Sequence, residues 1–258
     1  NGNMEIDVNK IDIEVEDLTQ QFYVQTIFRE ASSLSIGAEH KRLIIESETI
    51  AEEGTEETTF EKNNYISTFG TLLVDTYDNA YFPRTGLYFK GDFHLYLYSS
   101  DNNNQFNQFS IAKAILGVAT PIVKNVTFNF TAEGGFEIGN TGVNSLNFFF
   151  GGYGNQLINN FTPFLGYDFL SFSGDSFVKA TGKINYEFIP KNHIHFTANY
   201  ANAGNDIFDT VTWLTTPDFS GYGIGYSLES FIGPIEARYT WSPERGKGNW
   251  FINLGFWF

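Results

Sequence analysis

The sequence predicts an all-β protein, a transmembrane antiparallel up-and-down β-barrel, on three observations. The last nine residues alternate strictly: Trp250, Ile252, Leu254, Phe256 and Phe258 share one face, and Phe251, Asn253, Gly255 and Trp257 the other. One wholly apolar face opposite a mixed one suits a wall between lipid and a lumen, and a terminal aromatic suits an interfacial girdle. Aromatic content is 18%, with 28 Phe and 14 Tyr, while mean hydropathy is only -0.21. Lipid-facing and lumen-facing residues that dilute each other give such totals. A soluble aromatic-rich sandwich gives them too, and strand length separates the two. Alternation extends over twelve residues or more in several segments, whereas a soluble strand averages about five or six and a tilted membrane strand needs about nine to eleven. No apolar run approaches the roughly 18 residues of a membrane-spanning helix.

Taken in chain order, the elements number about twelve. Residues 4–15 put Met4, Ile6 and Val8 on one face against Glu5 and Asp7, with Asp12, Glu14 and Glu16 following. A second strand at 20–29 meets a third at 33–46 through the short connection Arg29-Glu30-Ala31-Ser32. Glu46, Glu48, Glu52, Glu53, Glu56, Glu57 and Glu61 then crowd a stretch with Gly54 and several Thr, a composition that predicts a solvated loop over 47–63. Strands at 64–77 and 86–99 come next. In the latter, Leu87, Phe89, Gly91, Phe93, Leu95 and Leu97 face away from Tyr88, Lys90, Asp92, His94, Tyr96 and Tyr98. Strands at 106–121 and 125–139 flank the turn from Pro121 to Asn125. In the second of them Val126, Phe128, Phe130, Ala132, Phe136 and Ile138 oppose Thr127, Asn129, Thr131, Glu133 and Glu137.

The connection 140–175 is the longest and is rich in aromatics and glycine rather than charge, with Phe148-Phe149-Phe150-Gly151-Gly152 and Phe164-Leu165-Gly166-Tyr167. A loop that apolar should pack against something, and inside the barrel it would plug the lumen. Strands at 176–189, 192–203, 220–230, 234–242 and 249–258 complete the chain. Short turns at 190–192 and 230–234 alternate with a long connection at 204–219. Short turns at one end and long loops at the other match the periplasmic and extracellular ends of such barrels, and an even strand count would put both termini on the periplasmic side. No linker divides the 258 residues, so a single domain is expected. No secretory leader precedes the first strand, and the expectation is a piece of a longer protein.

Charge and composition exclude several functions. A net charge of -15 argues against nucleic-acid binding, which needs a basic face. Cysteine is absent, so neither a disulfide framework nor a thiolate metal site is available. His193 and His195 share a strand face but stand by a turn next to Lys191 and read as solvated rather than metal-ligating, and no cofactor or metal is expected. Neither a Gly-x-Ser-x-Gly element nor an Asp-Gly partner occurs. A barrel-embedded lipase would need a Ser and a His on the outer wall, and His94, which shares a polar face with Asp92 and Tyr96, reads instead as a lumen residue. Lys90, Asp92, Glu133, Glu137, Lys179, Lys183, Glu187, Glu236 and Arg238 are lumen candidates of both signs, which favours a cross-barrel ion-pair network over a selective pore.

Four features resemble the outer-membrane barrels of the BamA, TamA and two-partner-secretion superfamily. Asp75-Thr76-Tyr77-Asp78-Asn79-Ala80-Tyr81-Phe82-Pro83-Arg84-Thr85-Gly86 is similar to that family's Asp-rich strand end and Pro-x-x-Gly turn. The resemblance implies a periplasmic turn with Asp75, Asp78, Pro83 and Gly86 as its signature. Ser230-Phe231-Ile232-Gly233-Pro234-Ile235 resembles the penultimate turn, with Phe231 where a proline usually stands. The end of the chain resembles the assembly signal, which would comprise Trp250, Ile252, Leu254, Gly255, Phe256 and Phe258. The long loop falls where the family carries its plug, with Gly151, Gly152, Leu165, Gly166 and Tyr167 as the corresponding residues.

The nearest likeness within that superfamily is to the C-terminal barrel of Bacteroidetes patatin-like phospholipases. It is carried by Phe149-Phe150-Gly151-Gly152-Tyr153-Gly154-Asn155, Phe164-Leu165-Gly166-Tyr167-Asp168 and Gly233-Pro234-Ile235-Glu236-Ala237-Arg238-Tyr239. BamA-type plugs carry Arg-Gly-Tyr/Phe at the tip, whereas this chain has Leu165-Gly166-Tyr167. That departure argues against insertase-like activity. The resemblance implies sixteen strands, of which these would be the last twelve. It also implies an outer-membrane location with outer-membrane lipid around the wall, the barrel assembly machinery as partner during insertion, a possible homodimer, and no catalysis by this chain. The phospholipase domain that it would anchor, or help translocate, would lie outside this sequence. A transport or insertase barrel of the BamA/TamA type is the alternative.

Overall fold

Eleven antiparallel strands follow one another in chain order around one curved sheet in the computed structural model, which describes residues 10–51, 54–100, 106–139, 146–153 and 160–255. They are β1 (Lys10–Phe28), β2 (Ser32–Ala51), β3 (Gly54–Asp75), β4 (Gly86–Ser99), β5 (Phe109–Val123), β6 (Val126–Ile138), β10 (Ser176–Ile189), β11 (Asn192–Gly204), β12 (Phe219–Ser230), β13 (Gly233–Ser242) and β14 (Lys247–Leu254). Between β6 and β10 the chain leaves the wall to build a three-stranded sheet from β7 (Phe148–Phe150), β8 (Phe161–Thr162) and β9 (Phe172–Gly174). A 3-10 turn, Thr212–Leu214, sits in the β11–β12 connection.

Burial is inverted relative to a water-soluble sandwich. On β11, His193, His195, Thr197 and Asn199 are buried while Ile194, Phe196 and Tyr200 are exposed. On β13, Glu236, Arg238, Thr240 and Ser242 are buried and alternate with Ile235, Ala237, Tyr239 and Trp241. The outward face is apolar nearly everywhere, reaching 83% exposure at Phe22 and 77% at Ile252. Polar groups inside and bare aromatics outside are stable in lipid and costly in water.

The short turns cluster at one end. Arg29 and Glu30, Asn125, and Lys191 take left-handed φ values of 50°, 60°, 66° and 67°, which lets each hairpin reverse within very few residues. Gly233, at φ 105°, closes the turn after Phe231 and Ile232. The ten residues between β3 and β4 lie at this same end, and the chain enters the interior sheet from the opposite end.

Three expectations are corrected. Residues 4–15 and 20–29 were expected as two strands, but the described residues from Lys10 onward are one strand paired without a break from Lys10↔Ile50 to Phe28↔Ser32. The polar stretch Asp17-Leu18-Thr19-Gln20 that suggests a boundary is a wall segment with its polar side inward: Thr19 Oγ1 donates to Asp17 Oδ1 at 2.9 Å and Gln21 Nε2 to Glu39 Oε2 at 2.6 Å. The described wall therefore has eleven strands, and β1 starts at the end opposite to the one where β14 finishes. The acidic stretch 47–63 is not a long loop either. β2 and β3 stay paired to Ala51↔Gly54 with one irregularity at Ile45/Glu46, because the ladder is made by main-chain groups, which a run of acidic residues leaves in place.

Thirdly, His193 and His195 are not at a solvated turn. They are 3% and 1% exposed and point into the interior, each beside a carboxylate.

Candidate functional site

The interior is filled from both ends, and the wall is shaped to receive what fills it. From the long-loop end, residues 148–153 and 160–174 enter with Phe148, Phe150, Phe161, Phe164, Leu165 and Tyr167 all buried. Phe148 meets Phe177 of β10 edge-on at 4.9 Å between ring centroids, and Phe172 stacks on Phe219 of β12 at 3.9 Å. Lys113 Nζ of β5 donates to Thr162 Oγ1 at 3.2 Å, while Tyr153 OH donates to Glu236 Oε2 of β13 at 2.7 Å. One loop thus touches strands on opposite sides of the sheet, which is how the curvature of the wall is held.

The tip of this loop lies directly on backbone. β12 turns Gly221, Gly223 and Gly225 inward, opposite Asn199, Thr197 and His195. A Cβ on Gly221 would stand 1.9 Å from the Leu165 carbonyl oxygen, and one on Gly225 would meet the His195 ring at 2.4 Å. On the loop, Gly166 has φ +79° and a Cβ there would approach the Trp241 carbonyl carbon to 2.3 Å. Gly151 fills the same role below: its Cβ would fall 1.9 Å from Asp168 O. Charge then pins the tip in a sense opposite to an arginine-tipped loop. Asp168, from the loop, pairs with Arg245 of the β13–β14 connection and accepts from Asn249 Nδ2 at 3.1 Å. The same guanidinium reaches Ser171 Oγ at 3.2 Å and lies over the Tyr167 ring.

From the short-turn end, the β3–β4 connection folds inward. Phe82 is 6% exposed and stacks on His193 with ring centroids 4.2 Å apart and planes within 6°. Lys183 Nζ stands 5.6 Å from the Phe82 centroid, and Arg84 Nη1 reaches Glu187 Oε2 at 3.3 Å. The turn is built by its acids and amides. Asp75 Oδ1 accepts from Tyr77 N at 2.9 Å, Asn79 Oδ1 from Tyr81 N and Phe82 N, and Asp78 Oδ1 from Arg84 N at 2.8 Å and Thr85 N at 3.1 Å. Gly86 has φ +122°, and a Cβ there would run into Thr76 O at 2.3 Å. Pro83 precedes Arg84 within the same bend.

Partial burial pushes the Asp78 carboxyl upward. The Thr85 and Arg84 N–H groups and the Arg84 charge outweigh it and hold the group below its ordinary 3.8. A carboxyl lowered in the folded state contributes stability above 3.8, and that contribution is lost as pH falls through the lower folded value. Acid titration is expected to lower the protection factor of the Thr85 amide, its exchange rate relative to the intrinsic rate at the same pH, in this window, and Asp78→Asn to remove that pH-dependent loss; equal protection profiles for the two proteins would refute the role.

Between the two plugs runs a charged interior. Lys179 Nζ pairs with Glu133 at 2.8 Å, Lys90 with Asp92 at 3.2 Å, and Lys41 with Asp17 at 2.7 Å. Glu236 Oε1 accepts from Arg238 Nη2 at 2.6 Å, Arg238 Nε at 2.8 Å and His195 Nε2 at 3.1 Å. His193 Nε2 meets Glu229 at 2.8 Å and its Nδ1 meets Asn185 Nδ2 at 3.0 Å. His94 faces inward, 3.6 Å from Glu39, and borders a cavity of about 220 Å³ that Phe69, Lys90, Asp92 and Lys113 also line. The close pair of Ser227 and His195 is not a nucleophilic relay. Ser227 Oγ at 2.9 Å and Glu236 contact the same nitrogen of His195, whereas a relay needs the acid on the other one. Among the described residues no three His, Asp or Glu groups converge as metal ligands.

Every charged lumen candidate lies on the inward register of its strand. Trp250, Ile252 and Leu254 point outward, 71%, 77% and 68% exposed, and Gly255 takes φ +96°; Phe256 and Phe258 lie outside the described residues. Sequence reasoning did not identify the glycine row of β12, the Asp168–Arg245 pair or the docking of Phe82. Gly-Tyr-Gly-Ile-Gly at 221–225 was the available signal for the first.

A family profile described as the OMP85 superfamily matches residues 1–258. Among solved structures, BamA from Haemophilus ducreyi lacking POTRA domains 1-3 superposes with a TM-score of 0.61 at 12% identity. The alignment covers 91% of this chain and 51% of that one, so this chain spans about half the length of the structure it matches. No curated protein matches it.

Proposed function

The chain belongs to the OMP85 superfamily of bacterial outer-membrane barrels, and from that premise we propose that it anchors, and helps to translocate, a patatin-like phospholipase domain carried by the same polypeptide outside these 258 residues. What supports the reading is the convergence of the three segments that bear the likeness to phospholipase-associated barrels. Gly151 packs beneath Asp168, Leu165 and Gly166 rest on β12 and β13, and Tyr153 hydrogen-bonds Glu236. They form one interlocked unit, as a filled platform requires. The barrel fold is not an enzyme fold, so hydrolysis is assigned to the absent domain, and the single-domain reading applies to this chain alone. The Asp75–Gly86 turn serves as the periplasmic plug, residues 148–153 and 160–174 as the extracellular one, and the outward row Trp250, Ile252 and Leu254 as the strand read by the barrel assembly machinery.

A second reading, a transport or insertase barrel, draws on the fold likeness to BamA. The two separate on the complete reading frame. A Gly-x-Ser-x-Gly element ahead of Asn1 supports the anchor; repeated periplasmic domains in its place overturn it. Embedding of the wall has its own test. Ile36, 62% exposed on the outward face of β2, is expected to lose about 2–4 kcal/mol on substitution to Lys, and Gln20, nearer the rim, about 0–1. Urea unfolding from phospholipid vesicles reads both, and equal costs at the two depths would contradict a lipid-facing wall.

A further inference from the structure

Inside the wall, two opposite charges face one cavity and meet only neutral partners. The cavity of about 220 Å³ beside His94 is several times the room of a single water, about 30 Å³ in the liquid, and takes a molecule of dipeptide size. Glu39 and Asp92 line it together with Lys90 and Lys113, so a ligand that is neutral overall suits it. Asp92 is already matched, by Lys90 at 3.2 Å and by the Thr71 hydroxyl at 2.7 Å. Glu39 is not. It is 2% exposed, its Oε2 accepts from the neutral Gln21 amide at 2.6 Å, and its Oε1 accepts no hydrogen bond. His94 Nδ1 stands 3.6 Å from that oxygen, too far to donate, and is itself without a hydrogen-bond partner. Lys113 is the reverse case. Its Nζ donates to Thr162 Oγ1 at 3.2 Å, while the carboxylates of the two neighbouring strands are engaged elsewhere, Asp92 with Lys90 and Glu133 with Lys179 at 2.8 Å.

Glu39 and Lys113 do not neutralise each other at contact. Glu39 stands opposite Ser67 and Ser67 opposite Tyr96, whereas Lys113 stands opposite Asp92, which puts the two charges three strands and four residues apart on the wall. A buried charge with only neutral partners is costly, and one of each sign around an open space fits a ligand that brings both missing charges. Phe69, Ile111 and Phe148 add apolar surface to the lining. We infer that the cavity binds a short zwitterionic peptide, its ammonium on Glu39 Oε1 and His94 Nδ1 and its carboxylate on Lys113 Nζ. An ammonium has donors for both unfilled acceptors when the His94 proton sits on Nε2. Charges three strands apart favour a short peptide over a single α-amino acid, whose two groups share one carbon. The side chains of Lys90 and Asp92 are 38% and 23% exposed, so the lysine end opens to water and gives the ligand its entry. Phe148 belongs to the long loop, and Lys113 holds that loop through Thr162, so the peptide lies between loop and wall. The site depends on the filled interior alone and holds whichever domain the barrel carries.

Equilibrium dialysis of the full chain in non-ionic detergent micelles against glycyl-leucine tests the site. N-acetylglycyl-leucine and glycyl-leucinamide, each lacking one charge, are the comparison probes. Glycyl-leucine is expected to bind, and each capped form to bind about ten-fold more weakly, the order of one charged hydrogen bond. Glu39→Gln is expected to hold the free and acetylated peptides alike while still preferring the carboxylate to the amide. Lys113→Gln should do the reverse, and Lys113→Arg should restore the carboxylate preference. Loss of one preference with the other kept separates a lost contact from a misfolded chain. Absence of binding by the native protein, capped forms that bind as well as the free peptide, or a carboxylate preference that survives in Lys113→Gln would overturn the site.

Discussion

Replacing Gly221 with valine is expected to drive the plug tip off β12 and to lower the unfolding free energy by about 3 kcal/mol or more. The closest obstruction is main chain of the loop tip, with a wall side chain on the other side. A Cβ at 221 would lie 1.9 Å from Leu165 O, 2.8 Å from Leu165 C and 3.0 Å from Asn199 Oδ1, so no rotamer change relieves it. Overpacking a well-fitted interior costs about 1–3 kcal/mol. If the tip withdraws instead, Phe164 and Leu165 leave their buried positions, at about 1.5–3 kcal/mol for each side chain. The tip has no alternative seat nearby, because Gly166 occupies a left-handed conformation against Trp241 and Asp168 is tied to Arg245. Gly182→Ala is the control: its nearest contact would be an ordinary 3.5 Å to the Phe128 ring, and a change within about 0.5 kcal/mol is expected. Urea midpoints in micelles, together with chymotrypsin cleavage within 148–172, read the two variants. An unchanged midpoint and an uncut loop in Gly221→Val would show that the tip is not seated as described.

That glycine row illustrates which parts of the molecule can be read in one dimension. Period-two alternation is a local property, so Leu87 to Tyr98 and Val126 to Ile138 show their two faces without reference to anything else. Hairpin turns are local too, and Arg29-Glu30, Asn125 and Lys191 reverse the chain where the pattern breaks. Strand continuity is less local. Asp17 to Gln20 reads as a gap because polar residues interrupt the apolar row, yet in a barrel the polar side is the inside, and only pairing with Leu43 through His40 reveals the continuous strand. His193 is misread for the same reason, since a polar residue next to a turn resembles a solvated one until Phe82 arrives from 111 positions away to cover it. Gly221, Gly223 and Gly225 weaken a strand in isolation and acquire their purpose from Leu165, more than fifty positions earlier. What the sequence leaves unread are thus the contacts between plug and wall.

The largest electrostatic effect is expected at Glu236, where substitution by alanine should cost about 3–5 kcal/mol. This carboxylate is 8% exposed and takes four hydrogen bonds, three on Oε1 from Arg238 Nη2, Arg238 Nε and His195 Nε2, and one on Oε2 from Tyr153 OH. Its removal strands the Arg238 guanidinium, itself 5% exposed, with the Tyr153 ring 4.3 Å from its centre. A buried charge that loses its counter-ion is far more damaging than a buried pair that was never there, because desolvation is no longer offset. The combined variant Glu236→Leu with Arg238→Met is therefore expected to recover most of the loss, to within about 1–2 kcal/mol of the native protein. A double-mutant cycle on urea midpoints tests this directly. Should the double variant be as unstable as Glu236→Ala, the stabilisation would belong to the packing of Tyr153 and His195 around the site. Recovery would establish that the Glu236–Arg238 pair chiefly specifies where the plug docks, since the pair ties Tyr153 of the loop to one position on β13 and an apolar replacement keeps the stability while releasing that register.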